Sequence, residues 1–389
     1  MNTFTFNTVP GIRFGAGLAH DIGAMGAGLL GKRIMVVTDP GMIATGLVER
    51  VVTSLAASGA AVELFSEVAA DPPEAVVLAG ADAARNFGAT GIVGFGGGSS
   101  LDVAKLIAVL AKGSENLGDL YGIGNIKGGR LPLMAVPTTA GTGSEVTPIA
   151  IVTTGKSEKM GVVSPVILPD IALLDPELTV GLPASVTAAT GIDAMVHAIE
   201  AYASKNANNN PLSRHLAREA MRLMGAAVET AVREPDNLAA RSDMLLGSML
   251  AGQAFANSPV AAVHALAYPI GGHYKVPHGL SNALVLPHVL RFNAETHPEP
   301  YAEIGPCAFP ELGLLSADNG GRERAFGFAE AMADLARRCG LPQNLRDVGI
   351  GNNAIALLAR DAMNQTRLLV NNPRDVTEAD ARAIYTAAW

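Results

Sequence analysis

Apolar and polar positions follow one rhythm in the first half of the chain and another in the second. Over residues 3–14 the apolar side chains Phe4, Phe6, Val9, Ile12 and Phe14 come at short intervals, as expected of one or two short strands. A short helix follows Gly15 and Gly17. Residues 34–37 are then uniformly apolar, the signature of a parallel strand covered on both faces. Helical spacing over 42–57, a strand at 61–68, a proline-opened helix at 71–88, a strand at 91–95 and a helix over 101–112 complete a strand–helix alternation. That alternation predicts a doubly wound α/β layer. Further strands are expected in the segment opening at residue 131 and over 150–154 and 160–164. From residue 184 the pattern turns helical, over 184–203, 213–233, 236–256, 280–293, 324–339, 353–363 and 377–388. The prediction is an α/β domain over 1–183 and an all-helical domain over 184–389, with Pro183 at the break.

Composition narrows this picture. A chain of 389 residues has room for two separate cores, and 49% hydrophobic against 16% charged residues excludes a disordered or linker-rich protein. A net charge of −8 argues against a general nucleic-acid binder, which presents a basic face. The two cysteines, Cys307 and Cys339, lack a CxxC partner and suit a reducing compartment. The N-terminus lacks the pattern of a secretory signal, and no apolar run is long enough for a membrane span. The expectation is a cytoplasmic protein with no membrane partner.

Candidate chemistry gathers in two places. Three of the eight histidines, His264, His273 and His278, fall within one apolar, glycine-broken segment. Upstream, Asp193 and His197 stand four apart, a spacing that puts both on one face of a helix. Singly, such residues are most often a buried hydrogen-bonded histidine and a helix-surface pair. Together, Asp193, His197, His264 and His278 make a four-ligand set for a divalent metal that keeps a position open for substrate.

The second place is Gly96-Gly97-Gly98-Ser99-Ser100, between the strand and the helix of the α/β half. Glycines let backbone N–H groups approach a phosphate, and a helix N-terminus adds partial positive charge. The same residues also read as a capped helix start, with Ser99 as N-cap and Asp102 three positions on. After the strand at 131, Thr138, Thr139, Thr142, Ser144 and Thr147 form a hydroxyl-rich loop. It is either a ligand-facing loop at a strand end or simply a mobile Gly/Thr turn. A cleft between the two domains is the expected site.

Four stretches, GGGSSLDVAK, PTTAGTGSEVT, GIDAMVHAIEAY and HALAYPIGGHYKVPHGLSNALVLPHV, together resemble the iron-containing (group III) alcohol dehydrogenases, and the match runs in order over the whole chain. That resemblance implies NAD, a divalent metal (iron(II), with zinc(II) the alternative), a small alcohol or aldehyde substrate and a homo-oligomer of at least two chains. By position it implies metal ligation by Asp193, His197, His264 and His278, and pyrophosphate binding by Gly96, Gly97, Gly98 and Ser99 with Asp102 at the same helix start. Thr138, Thr139, Thr142 and Thr147 would line the cofactor groove, with Lys159 and Leu178 nearby. Asp39 would face the adenosine ribose and favour NAD over NADP, or else is a turn residue after its strand.

One position departs from the family. Tyr268 stands four residues after His264, where many members carry a second histidine. A tyrosine donates a hydrogen bond but is a poor proton shuttle near neutrality. His273 is the alternative relay, or a helix-end histidine facing solvent. The reaction implied is hydride transfer between NAD(H) and a small primary alcohol or aldehyde. A glycerol dehydrogenase-like or dehydroquinate synthase-like enzyme and a non-catalytic metal- and nucleotide-binding regulator are the rival expectations.

Overall fold

A computed structural model describes residues 3–155, 158–315 and 318–389. Contacts divide the chain into two compact units, one of residues 7–180 and one of residues 181–389 together with 3–6.

The first unit is α/β. Its strands are β1 (Gly11–Phe14), β2 (Arg33–Val37), β3 (Ala61–Phe65), β4 (Gly91–Gly96), β5 (Gly122–Ile123), β6 (Leu133–Pro137), β7 (Ile149–Thr154), β8 (Glu158–Val163) and β9 (Ile171–Leu174). Six form a sheet in the order β1-β9-β6-β4-β2-β3, parallel throughout. The other three form a small sheet, β5-β8-β7, whose long pair is antiparallel.

Helices α1 (Ile22–Leu30), α2 (Pro40–Ala44), α3 (Leu47–Ala57), α4 (Glu74–Phe87), α5 (Gly98–Lys112) and the single turn α6 (Leu117–Leu120) connect the strands. The apolar run in β2 has its explanation in two cores. Met35 and Val37 pack with Val77 of α4 and Val103 and Ile107 of α5. Ile34 and Val36, pointing the other way, pack with Ile22, Leu30, Val51 and Leu55.

Strand order also positions the candidate loops. After β2 the chain moves outward to β3, and after β4 it crosses to β6 on the opposite side. The carboxyl ends of the adjacent strands β2 and β4 are therefore a switch point, where α/β sheets open a crevice for ligands. Asp39 follows β2 and the glycine turn follows β4.

Three strand expectations need correcting. Within residues 3–14 only Gly11–Phe14 pairs, and the strand expected over 61–68 ends at Phe65. The pattern gives no sign of β9, which lies between β1 and β6. Its four residues are too few to display a period, and Pro169 and Pro176 around them resemble a loop.

The second unit is helical: α7 (Ala184–Ala203), α8 (Pro211–Arg233), α9 (Leu238–Asn257), α10 (Ala262–Tyr274), α11 (His278–Ala294), α12 (Glu299–Ala308), α13 (Asp318–Arg338), α14 (Ile355–Ala362), α15 (Thr366–Leu369) and α16 (Glu378–Ala388). The segment expected to be broken by glycines is instead the continuous helix α10, which carries Pro269 inside it. Proline removes one N–H from the ladder and disturbs the preceding turn. There the Tyr385 hydroxyl donates to Leu266 O at 2.5 Å. The helix ends at Lys275, which takes a left-handed conformation (φ 57°), and after Pro277 α11 starts at His278. Among the described residues no helix is long and apolar enough to cross a membrane.

Candidate metal centre

The helix α7 presents a stripe. Asp193, His197 and Glu200 are spaced four and three residues apart, so all three share one face, and each is at least nine-tenths buried. His264, from the first turn of α10, is also buried, while His278 at the first position of α11 is partly exposed. Ligand atoms of Asp193, His197, His264 and His278 all lie within 4.8 Å of one another. Ligands held about 2.1 Å from a tetrahedral ion stand about 3.4 Å apart, so small side-chain movements close the set around one cation.

Hydrogen bonding prepares this donor set. His264 Nδ1 lies 2.6 Å from Glu200 Oε2, and the Val263 N–H donates to Glu200 Oε1 at 2.7 Å. A carboxylate only accepts, so His264 carries its proton on Nδ1 and turns the lone pair of Nε2 inward. Asn282, one turn along α11 from His278, donates through Nδ2 to Asp193 Oδ1 at 2.5 Å. That nitrogen is also 3.3 Å from Nε2 of both His264 and His278, and Oδ1 of the same amide is buried without a partner. Among the described residues no lysine or arginine pairs with Asp193 or Glu200. A divalent cation is the group its converging lone pairs fit.

Burial opposes ionisation of Asp193, but the imidazoles of His278, His197 and His264 and the Asn282 bond outweigh it, leaving the carboxyl below its ordinary range. The His197 ring stacks between Phe255 at 4.4 Å and His264 at 4.8 Å between centroids.

The two proton-relay candidates part company. Tyr268 follows His264 by four residues on α10, and its ring centroid is 5.8 Å from that of His278. His273 follows His264 by nine residues, about two and a half turns, which puts it on the opposite face of the helix. It is bonded there to Asp361 of α14, with Nε2 2.7 Å from Oδ2. His273 is thus not among the residues gathered around Asp193.

The α/β unit assembles the other candidates. Gly96 has φ 143°, a conformation open to glycine, and a Cβ there would stand 2.8 Å from Ser100 Oγ and 3.2 Å from Asp39 Oδ2. Gly97 is the N-cap of α5 and makes no side-chain cap bond. The capped-start reading therefore fails, because the helix begins ahead of Ser99 and Asp102 turns elsewhere. A Cβ on Gly97 would find nothing nearer than Thr139 at 3.8 Å, and one on Gly98 would meet Thr142 Cγ2 at 2.7 Å. The turn and the hydroxyl loop thus face each other across a gap that side chains would fill.

Asp39 caps α2, accepting from Met42 N at 3.0 Å and from Ser100 Oγ at 3.2 Å. Thr138 is buried, its N–H bonded to Gly96 O at 3.0 Å. Thr147 accepts from Lys105 Nζ at 3.3 Å. Two candidates have other engagements. Lys159 pairs with Asp71 and donates to Thr153 Oγ1 at 3.3 Å, and the Leu178 side chain is buried in the sheet core.

The model of the iron-containing alcohol dehydrogenases matches residues 10–176, and that of the Fe-containing alcohol dehydrogenase family, C-terminal, matches residues 187–389. The chain belongs to the iron-containing alcohol dehydrogenase family. It is an oxidoreductase of alcohols or aldehydes. Long-chain-alcohol dehydrogenase 1 of Geobacillus thermodenitrificans is 41% identical over 361 residues, 92% of this chain and 90% of that one. A solved 1,3-propanediol oxidoreductase superimposes with a TM-score of 0.94 at 34% identity, covering all of both chains. Sulfoacetaldehyde reductase from Bifidobacterium kashiwanohense, solved in complex with NAD+, does so with a TM-score of 0.87 at 30% identity, covering 99% of this chain and 98% of that one.

Sequence reasoning passed over four residues of this family member: Glu200, Asn282, Lys105 and Glu145. Glu200 had a signal, as the third member of the α7 stripe. Asn282 had one too, since it sits one turn beyond His278. Lys105 and Glu145 look like ordinary surface charges in the sequence, and only their burial distinguishes them.

Proposed function

We propose that this family member is a metal-dependent, NAD-linked alcohol dehydrogenase and aldehyde reductase acting on small primary alcohols. The observation that carries this reading is the convergence of Asp193, His197, His264 and His278 within 4.8 Å, with His264 held by Glu200. Three imidazoles and one carboxylate suit iron(II), with zinc(II) the alternative. When bound, the cation supplies a Lewis acid for the substrate oxygen, and NAD(H) supplies or accepts the hydride.

The chain's own residues do the rest. Glu200 keeps the His264 proton on Nδ1, and Asn282 steadies Asp193. Phe255, stacked on His197, keeps water from that side of the ring. Tyr268, beside His278, offers its hydroxyl as a hydrogen-bond donor to the substrate oxygen.

The first-turn amides of α5 and the open face of Gly97 receive the pyrophosphate, supported by the absence of any side-chain cap there. Thr139 and Thr142 line the other side of that gap. The Asp39 carboxylate, beside the turn, accepts from ribose hydroxyls and repels a 2′-phosphate, which favours NAD over NADP. The relative solved with NAD+ supports the same choice. No arginine lies within these motifs to clamp a substrate carboxylate, so uncharged or weakly polar alcohols fit best.

The test is an NADH-linked screen of purified protein, reconstituted anaerobically with iron(II) or zinc(II), across short aldehydes, alcohols and diols. Turnover is expected with metal and absent after chelation. His264→Ala is expected to lower it by about 10³-fold or more, as loss of a metal ligand does in a site of this kind. Full activity in that variant would remove the metal assignment.

A further inference from the structure

Behind the glycine turn lies a charge that the proposed reaction does not use. Lys105 stands on α5, two turns past Gly98, with no solvent exposure (0%). A buried ammonium is tolerated only where its protons find acceptors. Lys105 Nζ donates to Ser144 Oγ at 2.8 Å, Thr147 Oγ1 at 3.3 Å and Ile149 O at 2.7 Å. All three acceptors belong to the segment that continues the hydroxyl loop into β7.

Asp102, one turn back on the same helix, completes the connection. Its Oδ1 is 3.7 Å from Lys105 Nζ and accepts the Ser144 hydroxyl at 2.6 Å, and its Oδ2 accepts Ile151 N at 2.9 Å. Ser144 therefore accepts from the lysine and donates to the aspartate, so neither bond can be replaced by water without disturbing the other. Glu145, buried on the same turn, adds a second carboxyl. Burial brings the Lys105 ammonium down to about 8, while Asp102 and Glu145 hold it up.

This network spans the two walls described above. One wall, Gly97 and Gly98, is the start of the helix that carries Lys105. The other, Thr139 and Thr142, leads into the segment that Lys105 grips. We propose that Lys105 is the positioning residue of the cofactor site, fastening the 144–149 segment to the helix that carries the glycine turn and so setting the gap that receives the pyrophosphate. The inference rests on the NAD reading above. Lys105 acts through Ser144 and Thr147 and is too deep to touch the cofactor itself.

Lys105→Met in the full chain keeps the volume and removes the donors. The readouts are the NADH Kd by fluorescence titration, KM for NADH against kcat, amide exchange over 144–151, and bound metal. We expect the NADH Kd and KM to rise about tenfold or more, with kcat at saturating NADH changed by no more than about twofold. Exchange should quicken over 144–151 while metal content stays unchanged. A residue that merely stabilised the fold would lower the melting temperature without this split.

Ser144→Ala removes one acceptor and leaves the lysine, so it serves if the methionine variant does not fold. It should raise the Kd about threefold in the same direction. An unchanged Kd and unchanged exchange in Ser144→Ala, or in folded Lys105→Met, overturns the inference while the NAD reading stands. Failure of the wild-type protein to bind NADH overturns both.

Discussion

The two units build their sites from opposite materials. In the helical unit the proposed donors are side chains: one carboxylate and three imidazoles delivered by α7, α10 and α11, with His264 held by Glu200 and Asp193 by Asn282. In the α/β unit the groups proposed to face the ligand are backbone amides of a glycine turn, where a Cβ on Gly97 would have no side-chain neighbour nearer than 3.8 Å and Lys105 holds the adjoining segment through Ser144. The difference teaches where each site is vulnerable. The proposed metal centre should fail when a side chain is lost, and the proposed phosphate turn when one is added.

The largest effect that sharpens this contrast is expected from Glu200→Gln. The amide retains the shape of the carboxylate but no longer holds the His264 Nδ1 proton with a negative charge. Metal affinity should fall about 10–100-fold, as for other partners of metal-bound histidines. Metal-buffered titration measures this, and NADH affinity should be untouched. Equal affinity in the variant would mean that His264 needs no orienting partner.

Gly98→Val probes the other unit by adding atoms. Its Cβ would stand 2.7 Å from Thr142 Cγ2, so the loop must give way or the gap must close. NADH Kd is expected to rise about tenfold, or ~1.4 kcal/mol, with bound metal unchanged. Were metal lost as well, the two sites would not be separable in the way described.

The smallest effect concerns stability and pH. Burial lifts the Glu145 carboxyl from its ordinary 4.5 to about 7, against the pull of its own backbone N–H and the Lys105 ammonium. A carboxyl whose folded pKa is raised binds its proton more tightly in the folded state. Its favourable contribution is full below about pH 4.5 and is lost as pH rises through about 7. Glu145→Gln imitates the protonated form at every pH. Its melting temperature should exceed the wild-type value by about 2–4 °C at pH 8, and the two should converge towards pH 5. Parallel melting curves across that range would show that Glu145 does not titrate there.

Much of the fold is legible in the sequence. The uniform run at 34–37 and the helical spacing after residue 184 announced a buried parallel sheet and a helical half, because burial on two faces and burial along one stripe leave different periods. The four proposed ligands were candidates in the sequence too: Asp193 and His197 share a helix face by spacing alone, His264 and His278 fall in one histidine-rich segment, and the fold brings their donor atoms within 4.8 Å of one another. Less legible were β9, too short to show a period, and α10, where Pro269 and Gly271-Gly272 looked like a break. Packing overrode those local signals, with Tyr385 serving the turn that the proline disturbs.

His273 shows the limit most plainly. In the sequence it clusters with His264 and His278, yet the unbroken helix turns it to the opposite face and into the grip of Asp361. Lys105, among ordinary helix formers, gave no hint that it was buried.

By itself the sequence determined most of the strands and helices, the residue types suited to hold a metal, and the glycine turn proposed to admit a phosphate. These depend on local spacing and on the chemistry of single side chains. Only the tertiary structure decided which histidine stays out of the cluster, which carboxylate aims His264, and which charges lose their water. Those outcomes depend on distances between residues far apart in the chain, and no local pattern encodes them.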